Sequence, residues 1–137
     1  MKICIVTDQK YPSPSAIATH ITLVAKILTE KGHDVKVIGR GETERGVCDN
    51  ISFVSLRGGG TKKISLLFNY FFHFKKSVLR ELKDEKPDAV LMYAIPLGLS
   101  KELIARSLNG DFLLLHDSLE WYSKEESNFV SFERMRY

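Results

Sequence analysis

The chain has 137 residues, with 20 Lys and Arg against 17 Asp and Glu, a net charge of +3, and 44% hydrophobic and 27% charged residues. That is about one domain's length, with the composition of an ordinary globular protein and enough chain to bury a core. The charge is too mild and scattered to indicate nucleic acid, no apolar run approaches the length of a membrane span, and Cys4 and Cys48 are not spaced like a disulfide framework or a zinc site.

The first element is the apolar, β-branched run Ile3 to Val6, read as a buried strand. MKICIV is too short for a signal peptide and Asp8 follows directly, so the expected compartment is the cytoplasm. Pro12 and Pro14 interrupt the chain. From Ser15, a plausible N-cap, Ile17, Ile21, Val24 and Leu28 recur on one helical face. Gly32 is placed to end that helix in a left-handed conformation, and Val35 to Ile38 form the second strand. Strand, helix and strand at this spacing imply a right-handed parallel crossover.

Ile51 to Leu56 reads as the next strand, followed by the connector Arg57 to Thr61. A long helix is expected from about Lys63 to Lys86, stopped by Pro87. Ala89 to Tyr93 is a strand and Leu97 to Leu108 a helix closed by Asn109-Gly110. Phe112 to His116 is the last strand, and residues after Lys124 look weakly helical. Alternating strands and helices predict an α/β, Rossmann-like three-layer domain with a mostly parallel sheet. Ligands of such sheets bind outside the carboxyl ends of the strands, so the segments after Val6, Tyr93 and Leu115 become candidates.

In the first segment, the backbone N–H groups of Ser15, Ala16 and Ile17 would face the crevice as an anion seat, or the segment is a plain capped turn. The loop has no glycine, so the dinucleotide fingerprint and the P-loop are both absent. His20, one turn into the helix, could reach the crevice or be a packing histidine. Asp8 would fit a phospho-acceptor only with another aspartate after the third strand, which ends instead in Ser55-Leu56-Arg57. RGGGTKK has the wrong spacing for a phosphate loop and reads as a connector.

The helix over 64–82 has an apolar arc wider than usual, with Leu66, Tyr70, Phe72 and Phe74 beside the main stripe. It is either buried on two sides, by the sheet and a second domain or subunit, or a peripheral membrane surface. In the last segment, His116 at a strand end could serve as a general base, with Asp117 and Glu120 to orient it or bind a hydroxyl. Trp121 and Tyr122 could stack on a sugar, or fill a gap in the core.

Residues 1–40, with His20 and Lys31-Gly32-His33-Asp34-Val35, resemble the opening of GT-B glycosyltransferases of the family-4 type, and HDSLEWYS resembles a later segment of the same amino-terminal domain. The resemblance covers essentially the whole chain. It implies the acceptor-side domain of an enzyme that moves a sugar from a nucleotide-sugar to a saccharide or lipid-linked acceptor, without a metal or cofactor. It assigns His116 to the reacting sugar. Ser13, Ser15, Ala16, Ile17 and His20 fall beside the acceptor and the phosphates, and Asp117, Glu120 and Trp121 near the acceptor. Family loops usually carry glycine where this chain has Ser-Pro-Ser-Ala, and the family's donor domain has no counterpart before Tyr137. The chain is therefore expected to be a fragment, inactive alone. Peripheral contact with the inner membrane face through 64–82 and self-association are further expectations. The alternative is a non-enzymatic Rossmann-like module that binds a partner or a saccharide.

Overall fold

The structure, a computed structural model, describes residues 1–57 and 63–118, the side chains of 63–71 excepted. The elements are β1 (Lys2–Lys10), α1 (Ala16–Glu30), β2 (Asp34–Arg40), β3 (Glu44–Cys48), β4 (Ile51–Leu56), α2 (Lys63–Glu85), β5 (Ala89–Tyr93), α3 (Leu97–Leu108) and β6 (Leu113–Asp117). The strands form one sheet in the order β3-β4-β2-β1-β5-β6. All pairs are parallel except β3 with β4. This is the expected α/β, Rossmann-like arrangement.

Two apolar clusters, one on each face of the sheet, make it three-layered. Strand side chains alternate between faces. Ile3, Ile5, Val35, Val37, Phe53 and Tyr93 pack with Ala18, Ile21 and Ala25 of α1. Cys4, Val6, Ile38, Val54 and Val90 pack with Phe74, Val78 and Leu82 of α2 and Leu99 and Leu103 of α3. Every central strand is therefore apolar on both sides, which explains the continuous apolar runs in the sequence. Cys4 is fully buried, and the loss of water pushes its thiol up to about 12. It is inert core, as its surroundings in the sequence suggest.

The ends of α1 follow the sequence signals. The Ser15 hydroxyl accepts from the Ala18 N–H, and Gly32 takes a φ of 86° just beyond the helix. The expected Ile17, Val24 and Leu28 are partly buried around Ile21. Helix α2 ends one residue before the expected Lys86, and Phe74, read as the margin of its stripe, is among its most buried side chains. Glu85, at the last turn of α2, joins Lys2 and Lys36 near the starts of β1 and β2. With its carboxyl end fixed there, α2 is too long for the sheet. Its 23 residues span ~35 Å, and the six of β4 only ~20 Å.

Two elements differ from the sequence reading. β1 runs on through polar residues to Lys10, with its register on β2 shifting between Val6 and Lys10. β3 was not expected at all. It forms a hairpin with β4 through Asp49 and Asn50, both at positive φ (52° and 65°) as a two-residue mirror-image turn requires. Among the described residues, no helix is long and apolar enough to cross a membrane.

Candidate functional site

The direction of the crossovers reverses between β1 and β5. From β1 the chain passes over one face to β2 by α1; from β5 it passes over the other face to β6 by α3. A crevice opens at the carboxyl ends of two such strands, because their connections leave in opposite directions. Its floor is built by backbone: the Asp8 N–H donates to the Ala94 carbonyl at 3.2 Å. Ala94 adopts a φ of 45°, left-handed for a residue with a β-carbon, which costs of order 1–3 kcal/mol. Asp8 is 3% exposed and its Oδ1 accepts from the Gln9 side-chain amide at 2.6 Å.

Beside this floor, His20 and Asp117 meet from opposite ends of the chain. His20 Nε2 lies 2.8 Å from Asp117 Oδ2, and both side chains keep about a quarter of their surface open (29% and 25%). An ionised carboxylate can only accept, so the Nε2 proton is donated to it and Nδ1 is left as the acceptor. The His20 ring rests 5.6 Å from that of Tyr93, the last residue of β5. A carboxylate-held imidazole of this kind can take or give a proton at Nδ1, or hold an anion when charged.

The loop from β1 to α1 reaches the same end of the sheet. Tyr11 anchors it: the ring is buried edge-on against Phe53 at 6.1 Å, its hydroxyl bonds Thr22, and its carbonyl accepts from the Ser55 hydroxyl. Gly39 makes room for that anchor, since a β-carbon there would stand 2.6 Å from Tyr11 Cβ. Beyond it, the Ser13 and Ser15 hydroxyls lie 2.9 Å apart. The Ser15 cap takes up the Ala18 N–H, leaving those of Ala16 and Ile17 at the open end of the helix.

His20 and Asp117 are thus brought together, and Ser13 and Ser15 meet at the start of α1. Asp117 pairs with His20 across the sheet rather than with its neighbour His116. Adjacent strand residues point to opposite faces, and Asp117 shares the α1 face with its register partner Tyr93. His116 is exposed, on the side of Phe112 and Leu114, which pack towards α2 and α3. Ser13 also lines a groove of about 170 Å³, with Thr22, Lys26 and Asp49, on the flank of α1 away from His20. Glu120 and Trp121 lie outside the described residues. Sequence reasoning missed Tyr93 as a neighbour of His20, and Asp8 as part of the crevice floor; the location of both at strand carboxyl ends was the available signal. Among the described residues, no group of three or more His, Cys, Asp or Glu side chains is gathered as a metal site would need.

No protein-family model matches the chain, and no curated protein matches its sequence. The fold does match a solved structure, a sucrose-phosphate synthase from Thermosynechococcus elongatus. The match has a TM-score of 0.63 at 12% sequence identity and covers 99% of this chain. It spans 37% of the synthase, so the chain corresponds to little more than a third of that protein's length. At this identity the likeness is one of fold.

Proposed function

We propose that the chain is the acceptor-side domain of a glycosyltransferase of the GT-B, family-4 kind, serving surface polysaccharide synthesis. One observation carries the reading: nearly the whole chain has the fold of one portion of a sucrose-phosphate synthase. The pairing of His20 with Asp117 beside the crevice supports it, because both residues belong to segments that resemble the family. The donor is a nucleotide-sugar, held mainly by polypeptide outside these residues. The acceptor is a saccharide or a lipid-linked saccharide.

In this reading, His116 acts at the reacting sugar. Ser13, Ser15, Ala16 and Ile17 offer hydroxyls and N–H groups to phosphate oxygens, and His20 and Asp117, with Glu120 and Trp121, hold acceptor hydroxyls and the ring face. Stabilisation of the departing diphosphate comes from the donor side, so these 137 residues turn nothing over alone. No metal or cofactor takes part. The protein works in the cytoplasm at the inner membrane face, touching lipid through 64–82, and self-associates.

The test is a titration of the isotope-labelled chain with mono- and disaccharides and short polyprenyl phosphates, followed by amide NMR, with nucleotide-sugar hydrolysis assayed in parallel. Shifts should gather at Ser13 to His20, Ala94 and Asp117, with no nucleotide released. Absence of shifts there across the panel overturns the acceptor reading, and released nucleotide overturns inactivity in isolation.

A further inference from the structure

A second cavity lies at the other edge of the sheet and on its other face. It has about 500 Å³ and is lined by Arg45, Arg57, Arg80, Glu44 and Glu81, with Thr43 and Ser77, over a floor of Val54 and Leu56. Topology builds it. β3 extends the sheet beyond the reach of α2, so a trough remains between the edge strand and the helix. Ser77, Arg80 and Glu81 share one helical face, three and four residues apart, and form one wall. Arg45, opposite Val54 in the register, forms the other. The volume falls within the range of small-molecule sites.

The charges inside it are unevenly matched. Glu81 is 6% exposed, and both its oxygens accept from the Arg45 guanidinium, one of them at 3.0 Å. That carboxylate is thereby committed to holding Arg45 in place. Arg57 and Arg80 have no hydrogen-bond or ion-pair partner among the described residues, and Glu44 is the one remaining carboxylate of the lining. Guanidiniums with no partner among the described residues, at the rim of a trough over Val54 and Leu56, are an arrangement that can receive phosphate oxygens. Their planar forks donate two bonds at once. The Ser77 and Thr43 hydroxyls add neutral donors.

We propose that this trough is a binding site for a phosphate-bearing ligand, with Arg57 and Arg80 gripping the phosphate and Arg45, positioned by Glu81, completing the grip. It stands apart from the transferase reading, since His20 and Asp117 lie on the α1 face at the β6 side of the sheet. The ligand is either a free phosphate ester or the headgroup of a phospholipid.

Calorimetric titration of the full chain with pyrophosphate, with phosphatidic acid vesicles as a second arm, tests this. Saturable binding in either arm supports the site, and the arm that binds identifies the source. Arg80→Gln and Arg57→Gln should each weaken it about tenfold, Arg80→Lys less, and Lys101→Gln, on α3, should leave it unchanged. Far-ultraviolet circular dichroism verifies folding of each variant. Absence of binding in both arms overturns the proposal, as does binding that survives both glutamine substitutions, which would make the anion adventitious.

Discussion

The two ends of the parallel sheet both carry half-buried charge, and they use it differently. At the amino ends, Glu85 is shared between Lys2 and Lys36, and the Asp88 carboxylate accepts the Lys2 N–H at 2.7 Å. Each of these groups is satisfied by a neighbour, and together they tie α2 and the turn before β5 to the first strand. At the carboxyl ends, His20 and Asp117 also satisfy each other, but the second imidazole nitrogen has no partner among the described residues, and the pair borders a crevice with a left-handed Ala94. Charge that closes on itself builds the scaffold; charge that leaves a valence toward a crevice is available for a ligand. Substitution at the amino ends should therefore cost stability, and at the carboxyl ends function.

The largest contrast is expected at the carboxyl ends. In the full-length enzyme that the transferase reading calls for, His116→Ala should lower sugar transfer by about 10²–10⁴-fold, the usual weight of a general acid–base group. His20→Ala and Asp117→Asn should lower it by less, and by similar amounts, because neither works without the other. The double variant should then be no worse than the single ones. Unchanged transfer in His116→Ala removes that residue from the chemistry, and additive losses at His20 and Asp117 separate the pair. All three should melt close to the parent.

Gly39→Ala crosses the boundary between the two ends. It lies within β2, yet its new β-carbon would meet the Tyr11 side chain at 2.6 Å, and the Tyr11 loop carries Ser13 and Ser15. Overpacking of this kind costs about 1–3 kcal/mol, read by urea denaturation. The amide signals of Ser13 to Ile17 should move with it. A destabilised variant whose loop signals stay put would show that the loop is held independently of Tyr11.

At the amino ends, hydrogen bonds from Lys2 and Lys36 hold the Glu85 carboxyl below its ordinary value of 4.5. A native value below the unfolded one means stability that is fully present above pH 4.5 and disappears as pH falls through the lower native value. Glu85→Gln should cost about 1.5 kcal/mol at neutral pH, a modest figure because solvent still reaches the Lys2 side chain, 37% exposed, and should flatten this acid limb. Ligand shifts at the other end should be unaffected. An acid limb as steep as the parent's would assign it to other carboxylates.

How legible all this was depended on range and on burial. The central strands and the caps of α1 could be read because buried strands have to be apolar and helix ends need specific residues. β3 could not, since an edge strand buries little. Val47 is 68% exposed, Gly46 lies against Phe53, and Arg45 turns to Glu81, so no alternation survives. Its one signal was Asp49-Asn50, two residues that tolerate positive φ. The site was legible by location only. That His20 sits near a strand's carboxyl end followed from helix spacing, but its partner is 97 residues away, and only the strand order puts β6 two places from β1. The adjacency of His116 and Asp117 in sequence even suggested the wrong pair, because alternation across a strand separates neighbours and unites residues of different strands.

Ser15 is where scaffold and site overlap most closely, and it can be divided. As an N-cap its hydroxyl accepts the Ala18 N–H at 3.2 Å; as a site residue the same oxygen lies 2.9 Å from Ser13 Oγ. Ser15→Ala should cost about 1 kcal/mol and Ser15→Gly only a few tenths, because glycine suits a cap position without supplying the hydroxyl. If the hydroxyl also serves a ligand, the two variants should weaken saccharide-induced shifts equally despite their different stabilities. If the shifts instead follow stability, with glycine nearly intact, Ser15 belongs to the scaffold and the anion seat reduces to the N–H groups of Ala16 and Ile17.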